Sequence, residues 1–206
     1  MFALVEDGSI TKMLSGNRGI TLGDKQYPKA IFTLWTKSER EAIGIYEVVW
    51  DNTNKKEEQW YINTNVSYAF GSGKVTASYG SATAKAHADT TYTNQDNTDG
   101  LIPSGKSVGD VKTEGLKTKK IRDVKSQAAG ILQDTDWYIT RKADAGTAVP
   151  SAITTHRAAV RTKAASQETQ ITNAADTPAL ETLYTYTKQE DGSVTRPLGE
   201  LPRLES

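Results

Sequence analysis

The chain has 206 residues, 25 Lys and Arg against 25 Asp and Glu, and only 36% apolar side chains. Cancelled charge leaves no bulk electrostatic reason to seek nucleic acid or an anionic membrane, and a mean hydropathy of −0.56 favours small cores joined by solvated segments over one large enzyme core. The absence of cysteine excludes disulfides, thiolate nucleophiles and cysteine-based metal sites.

The first residues already carry Glu6, Asp7 and Gly8, which is too acidic a start for a signal peptide. No apolar run is long enough to span a bilayer. Residues 2–6 and 9–13 flank Asp7-Gly8, a pair suited to a two-residue turn in which both central positions need positive φ, so this stretch reads as a β-hairpin. A loop-rich stretch surrounds a short strand at 20–22. An apolar run follows at 30–35, and Ser38-Glu39-Arg40-Glu41 has the chemistry of a helix start.

Residues 45–50 and 59–62 are β-type, joined by a polar turn from Asp51 to Lys56. Residues 66–70 and 74–79 form another hairpin about Gly71-Ser72-Gly73. Val75, Ala77 and Tyr79 alternate with polar residues, as in a half-buried strand. Residues 1–86 are therefore expected to be a small antiparallel β-rich domain, with Trp35, Tyr46, Trp50, Trp60, Tyr61, Tyr68 and Phe70 supplying most of its core.

From 87 to 118 the apolar content collapses, and glycines and a proline break any periodicity. Such composition implies a polar linker or arm. Residues 119–176 read as a helical hairpin. Ile121, Val124, Ala128 and Ile131 or Leu132 share one face of the first arm, which ends at Asp134-Thr135-Asp136. Pro150 marks the second arm, whose stripe is Ile153, Val160, Ala164 and Ile171, with Arg157, Arg161 and Lys163 around it. Trp137 and Tyr138 are expected to clamp the open end of the hairpin. A carboxylate at the bend, Asp136, is placed to pair with an arginine of the returning arm. Residues 177–206 form a tail in which 183–187 alternates like a strand and 194–198 can return after Asp191-Gly192. The fold class is α+β.

The features that invite chemistry have simpler readings. Gly71-Ser72-Gly73-Lys74-Val75 lacks both the early glycine and the closing Ser or Thr of a phosphate-binding loop. Asp134 with Asp136 has no further acidic neighbours and suits a helix end better than a cation site. The two histidines, His87 and His156, lie on different expected elements. The basic run Lys117, Lys119, Lys120, Arg122 and Lys125 has acidic residues interspersed and reads as a solvated helix face. No catalytic, cofactor-binding or metal-binding residues are expected, and the chain reads as a non-enzymatic interaction protein.

The segment Ile131-Leu132-Gln133-Asp134-Thr135-Asp136-Trp137, followed by His156-Arg157-Ala158-Ala159-Val160-Arg161, resembles the tail-fibre assembly and tail assembly chaperone-like families of tailed bacteriophages. Those families carry two leucine-like residues, a polar spacer and Asp-Trp. A run of aromatic, Arg, two variable residues, apolar and Arg follows on a second helix. His156 stands where the family has tyrosine, and the direct likeness covers about 60 of the 206 residues. The N-terminal part is loosely similar to the β-rich heads of related phage tail proteins.

The resemblance implies a structural protein of the tail fibre or baseplate region, made in the host cytoplasm and located in the virion tail. Its expected partners are other tail proteins (fibre, baseplate or hub) and further copies of itself in a symmetric assembly, with no nucleic acid. The alternative is a tail-fibre assembly chaperone that is not retained in the virion. The expected interaction residues are Trp35, Trp50, Trp60, Trp137, Asp136, Arg157 and Arg161. A glycan-binding or glycan-cleaving protein is a third reading, because exposed tryptophans stack on sugar rings. Nothing in the sequence sets Asp51, Glu57 or Glu58 face to face across a cleft, as hydrolysis needs.

Overall fold

β1 (Phe2–Glu6) is apolar along most of its length because both of its faces are covered. The computed structural model describes residues 1–204 and divides the chain into two compact units, one from Met1 to Thr83 and one from Ala84 onward. Glu205 and Ser206, the last two residues of the expected tail, lie outside the described residues. Strands dominate the first unit and helices the second, an α+β chain.

In the first unit β1 pairs antiparallel with β2 (Ser9–Leu14) through the Asp7-Gly8 turn, where both residues take the positive φ that the dipeptide was expected to supply. α1 (Ile31–Leu34) and α2 (Lys37–Glu41) follow the small β3 (Ile20–Leu22) and β4 (Lys25–Tyr27) hairpin. Thr36, not Ser38, caps α2: its hydroxyl accepts the Glu39 N–H while the Glu39 carboxylate accepts the Thr36 N–H. β5 (Ile45–Asp51) then joins the other side of β1, antiparallel to it.

After β6 (Tyr61–Ile62), β7 (Ser67–Gly71) and β8 (Lys74–Ser78) form the expected second hairpin, giving the sheet order β2-β1-β5-β8-β7. The expectation of an antiparallel sheet holds everywhere except at one pair: β5 and β8 run parallel. The chain from Asp51 to Lys74 includes a whole extra strand, β7, which docks outside β8, so β8 reaches β5 in β5's own direction. β9 (Thr83–Ala84) covers the last residue of the first unit and the first residue of the second.

One face of the sheet buries Ala3, Val5, Val48, Val75 and Ala77 beneath Tyr46 and Phe70. The other buries Leu4, Leu14 and Ile45 against Ile31 and Phe32 of α1. Alternation along β1 sends its residues in turn to the two cores.

The stretch 87–118, expected as a polar linker or arm, carries local structure instead of a bare coil. β10 (Thr90–Thr91) pairs with β11 (Val111–Thr113), and α3 (Asn94–Thr98) is closed by a capping box between Thr93 and Asp96. Hydrogen bonds, rather than apolar burial, hold it. Its end abuts α4 (Leu116–Gln133), whose N-cap Gly115 has no side chain to offer. Asp89 serves instead, accepting the Gly115 N–H at 2.7 Å and the Thr118 hydroxyl at 2.9 Å. Gly115 is needed because a Cβ there would lie 2.3 Å from the Ala88 carbonyl.

α4 and α6 (Ser151–Asn173) are the two arms of the hairpin, with α5 (Asp136–Ala145) between them. They are antiparallel: Lys117 reaches the Thr172 carbonyl, Lys125 reaches Glu168, and Arg157 reaches the Leu132 carbonyl. Besides His156, the buried positions of α6 are Ile153, Arg157, Val160, Ala164, Gln167 and Ile171, which recur in threes and fours, as in coiled-coil packing. Val160 and Ile171 are fully buried, each contributing about 1.5–3 kcal/mol of transfer free energy.

The tail departs from expectation: residues up to Tyr184 belong to a helix, α7 (Thr177–Tyr184), and not to a strand. Asp176 caps it, and Leu180 is fully buried. The hairpin that follows is shorter than expected, pairing β12 (Thr187–Lys188) with β13 (Val194–Thr195). Beyond it Leu198 is buried, and the buried Gln167 amide donates to the Gly199 carbonyl at 2.9 Å.

Candidate interaction surfaces

The bend between α4 and α5 is tied down by a single buried guanidinium. Thr135 turns the chain, its side chain buried and its hydroxyl donating to the Leu132 carbonyl at 2.9 Å. From the returning helix, Arg157 Nη1 donates to that same carbonyl at 2.7 Å and to Thr135 Oγ1 at 2.7 Å. It also lies 2.8 Å from Asp136 Oδ1. A cation thus sits on the carbonyl end of α4, where the helix dipole favours positive charge. Arg157 is 9% exposed in its side chain and Asp136 58%, so the pair runs from the core out to solvent.

Beyond this lock α5 runs to Gly146, which takes the left-handed conformation at its C-cap. None of its ten residues is buried. Trp137 is 52% exposed and Ile139 44%. Tyr138 lies against Trp137 with ring centroids 4.3 Å apart, and the Arg141 guanidinium sits 4.4 Å over the Trp137 ring. Trp137 therefore does not clamp the hairpin: the Arg157 contacts close that end, and the indole is left facing water. Ile139 and Arg141 were missed in the sequence. The one available signal was the Trp137–Arg141 spacing of a single helical turn.

The remaining sequence-derived residues fall elsewhere. Trp60 is 1% exposed and belongs to the core of its own unit, so it offers no surface. Trp35 is half-buried and meets Tyr27 edge-on at 5.8 Å. Trp50 is 40% exposed near the end of β5. Arg161 lies on the exposed side of α6, away from the Asp136 pairing that Arg157 takes. His156 is buried beside Arg157, and the half-buried His87 gives its carbonyl to the Lys117 N–H at the start of α4.

Titration is perturbed mostly where carboxylates cap backbone. Asp89 is lowered by the Gly115 N–H and then by Thr118. Asp96 is lowered to about 2, first by its bond to the Lys112 ammonium and then by Thr93. Burial raises the Tyr184 phenol to about 12. Among the described residues no three His, Asp or Glu side chains gather to hold a metal, and no helix is long and apolar enough to cross a membrane. Compared with family models, curated proteins and solved structures, the chain matches none.

What α5 offers is therefore recognition chemistry: two rings, a guanidinium and an aliphatic side chain on a helix anchored at its base.

Proposed function

We propose that this chain is a non-enzymatic structural protein of the tail fibre or baseplate region of a tailed bacteriophage, docking to neighbouring tail subunits through α5. The observation that carries the docking role is a ten-residue helix with nothing buried that bears Trp137, Tyr138, Ile139 and Arg141. Trp, Tyr and Arg are the residues that dominate interface energetics once desolvated. Trp137 also lies within the stretch that carries the phage tail resemblance, and that resemblance supplies the choice of partner class. The Arg157 lock supports the reading physically, because it orders the base of α5 before any partner arrives and so lowers the entropic cost of association.

The test is co-purification of the chain with the fibre, baseplate and hub proteins of its source phage, each expressed separately. One of them binds, and Trp137→Ala weakens that binding about tenfold or more. Binding by none of them, or binding unchanged in both Trp137→Ala and Arg141→Ala, overturns the proposal.

A further inference from the structure

The first unit carries a second aromatic surface, built by the sheet register. Tyr68 of β7 and Trp50 of β5 are both paired with Ala77 of β8, which puts the three side chains in one row on one face. In the preceding row, Val75 and Val48 belong to the buried core and the half-buried Phe70 packs against it. The core face thus continues past its cover. Ala77 is fully buried, while Trp50 is 40% and Tyr68 37% exposed. Tyr79 extends the row: its ring lies 5.1 Å from Trp50 with the planes 31° apart, a gently tilted shelf.

The loop after β5 borders that shelf. Asn54 Nδ2 donates to the Tyr79 carbonyl at 3.2 Å, and the Lys55 ammonium stands 5.8 Å from the Tyr79 ring centroid. Lys55 also lines an open groove of about 710 Å³ together with Asn52, Lys56, Glu57, Glu58 and Gln59. Its two cations and two anions cancel, which gives a polyanion no hold. The amides and carboxylates supply donors and acceptors together.

Rings beside a charge-balanced, hydrogen-bonding groove fit a ligand with apolar C–H faces and a hydroxyl edge. We propose that the Trp50–Tyr79 shelf and the 52–59 loop bind a neutral saccharide, with sugar faces on the rings and hydroxyls on the groove side chains. The site belongs to the first unit and does not depend on the docking role of α5, so either can fail alone.

The full chain is applied to an array of neutral and acidic glycans, and the strongest neutral hit is titrated calorimetrically. At least one neutral glycan binds. Trp50→Val keeps a strand-forming apolar residue over Ala77 but removes the ring, and it lowers affinity about tenfold or more, as does Tyr79→Leu. Trp137→Ala binds the glycan like the parent, and melting curves show that all three variants fold. No neutral ligand, binding confined to acidic glycans, or undiminished affinity in folded Trp50→Val overturns the assignment. So does a tail protein bound through Trp50 when no saccharide binds.

Discussion

Arg157 reaches from the second arm of the hairpin to the Leu132 carbonyl at 2.7 Å, closing the end of the first arm with a side chain from the other. That contact fixes the bend as well as the helix pairing. It also makes the two partners of the 2.8 Å Arg157–Asp136 ion pair unequal in energy.

Asp136 is mostly solvated, so Asp136→Ala is expected to cost about 0.5 kcal/mol, in the range of exposed ion pairs. Arg157→Ala removes the two charge-assisted bonds to the Leu132 carbonyl and the buried Thr135 hydroxyl, which keep only their bond to each other, and is expected to cost about 2–3 kcal/mol. Urea titration of both variants and of the double mutant measures the difference. Equal effects would contradict the lock.

Gly115→Ala drives a methyl into the Ala88 carbonyl, and Asp89→Ala removes the carboxylate that caps α4. Both substitutions are expected to open the same region. Hydrogen exchange checks this: amides of the first turn of α4 exchange faster in each variant, while those of β1 and β5 do not change.

Acid acts on the 87–118 stretch through Asp96. Its folded carboxyl titrates at about 2 against an ordinary 3.8, so its bonds stabilise above about pH 4 and are lost as pH falls through about 2. Tyr92 NMR signals, from the ring that faces Lys112, are expected to follow that step. Asp96→Asn flattens the step and loosens the stretch at neutral pH.

Trp60 and Trp137 separate packing from recognition. Trp60→Ala empties a core site and is expected to cost about 3–5 kcal/mol. Trp137→Ala removes an exposed ring and is expected to stay within about 0.5 kcal/mol, its effect appearing in partner binding alone. Thermal melts of the two variants decide this.

What was legible in the sequence was local. The Asp7-Gly8 and Gly71-Ser72-Gly73 turns and the apolar stripes of α4 and α6 each state their structure within a few residues. The parallel β5–β8 pairing was not legible, because it depends on where a non-adjacent hairpin docks. The 87–118 stretch was read from its poverty in apolar residues, whereas its order rests on Asp89 and Asp96 bonding to backbone and side chains. α5 was missed because a helix that buries nothing leaves no apolar stripe to detect. Pairing of Asp136 with an arginine of the returning arm was legible from charge and chain reversal, though which arginine was not. Exposure separated Trp60 from Trp50 and Trp137, and no residue type announces its own burial.

The central claim is that the chain stays in the tail as a structural component. Quantitative mass spectrometry of purified virions from the source phage tests it most directly. The account predicts stoichiometric presence, in copies that match the symmetry of the tail fibre or baseplate. Absence from virions alongside abundance in the infected lysate would contradict it and make the chain an assembly factor that leaves.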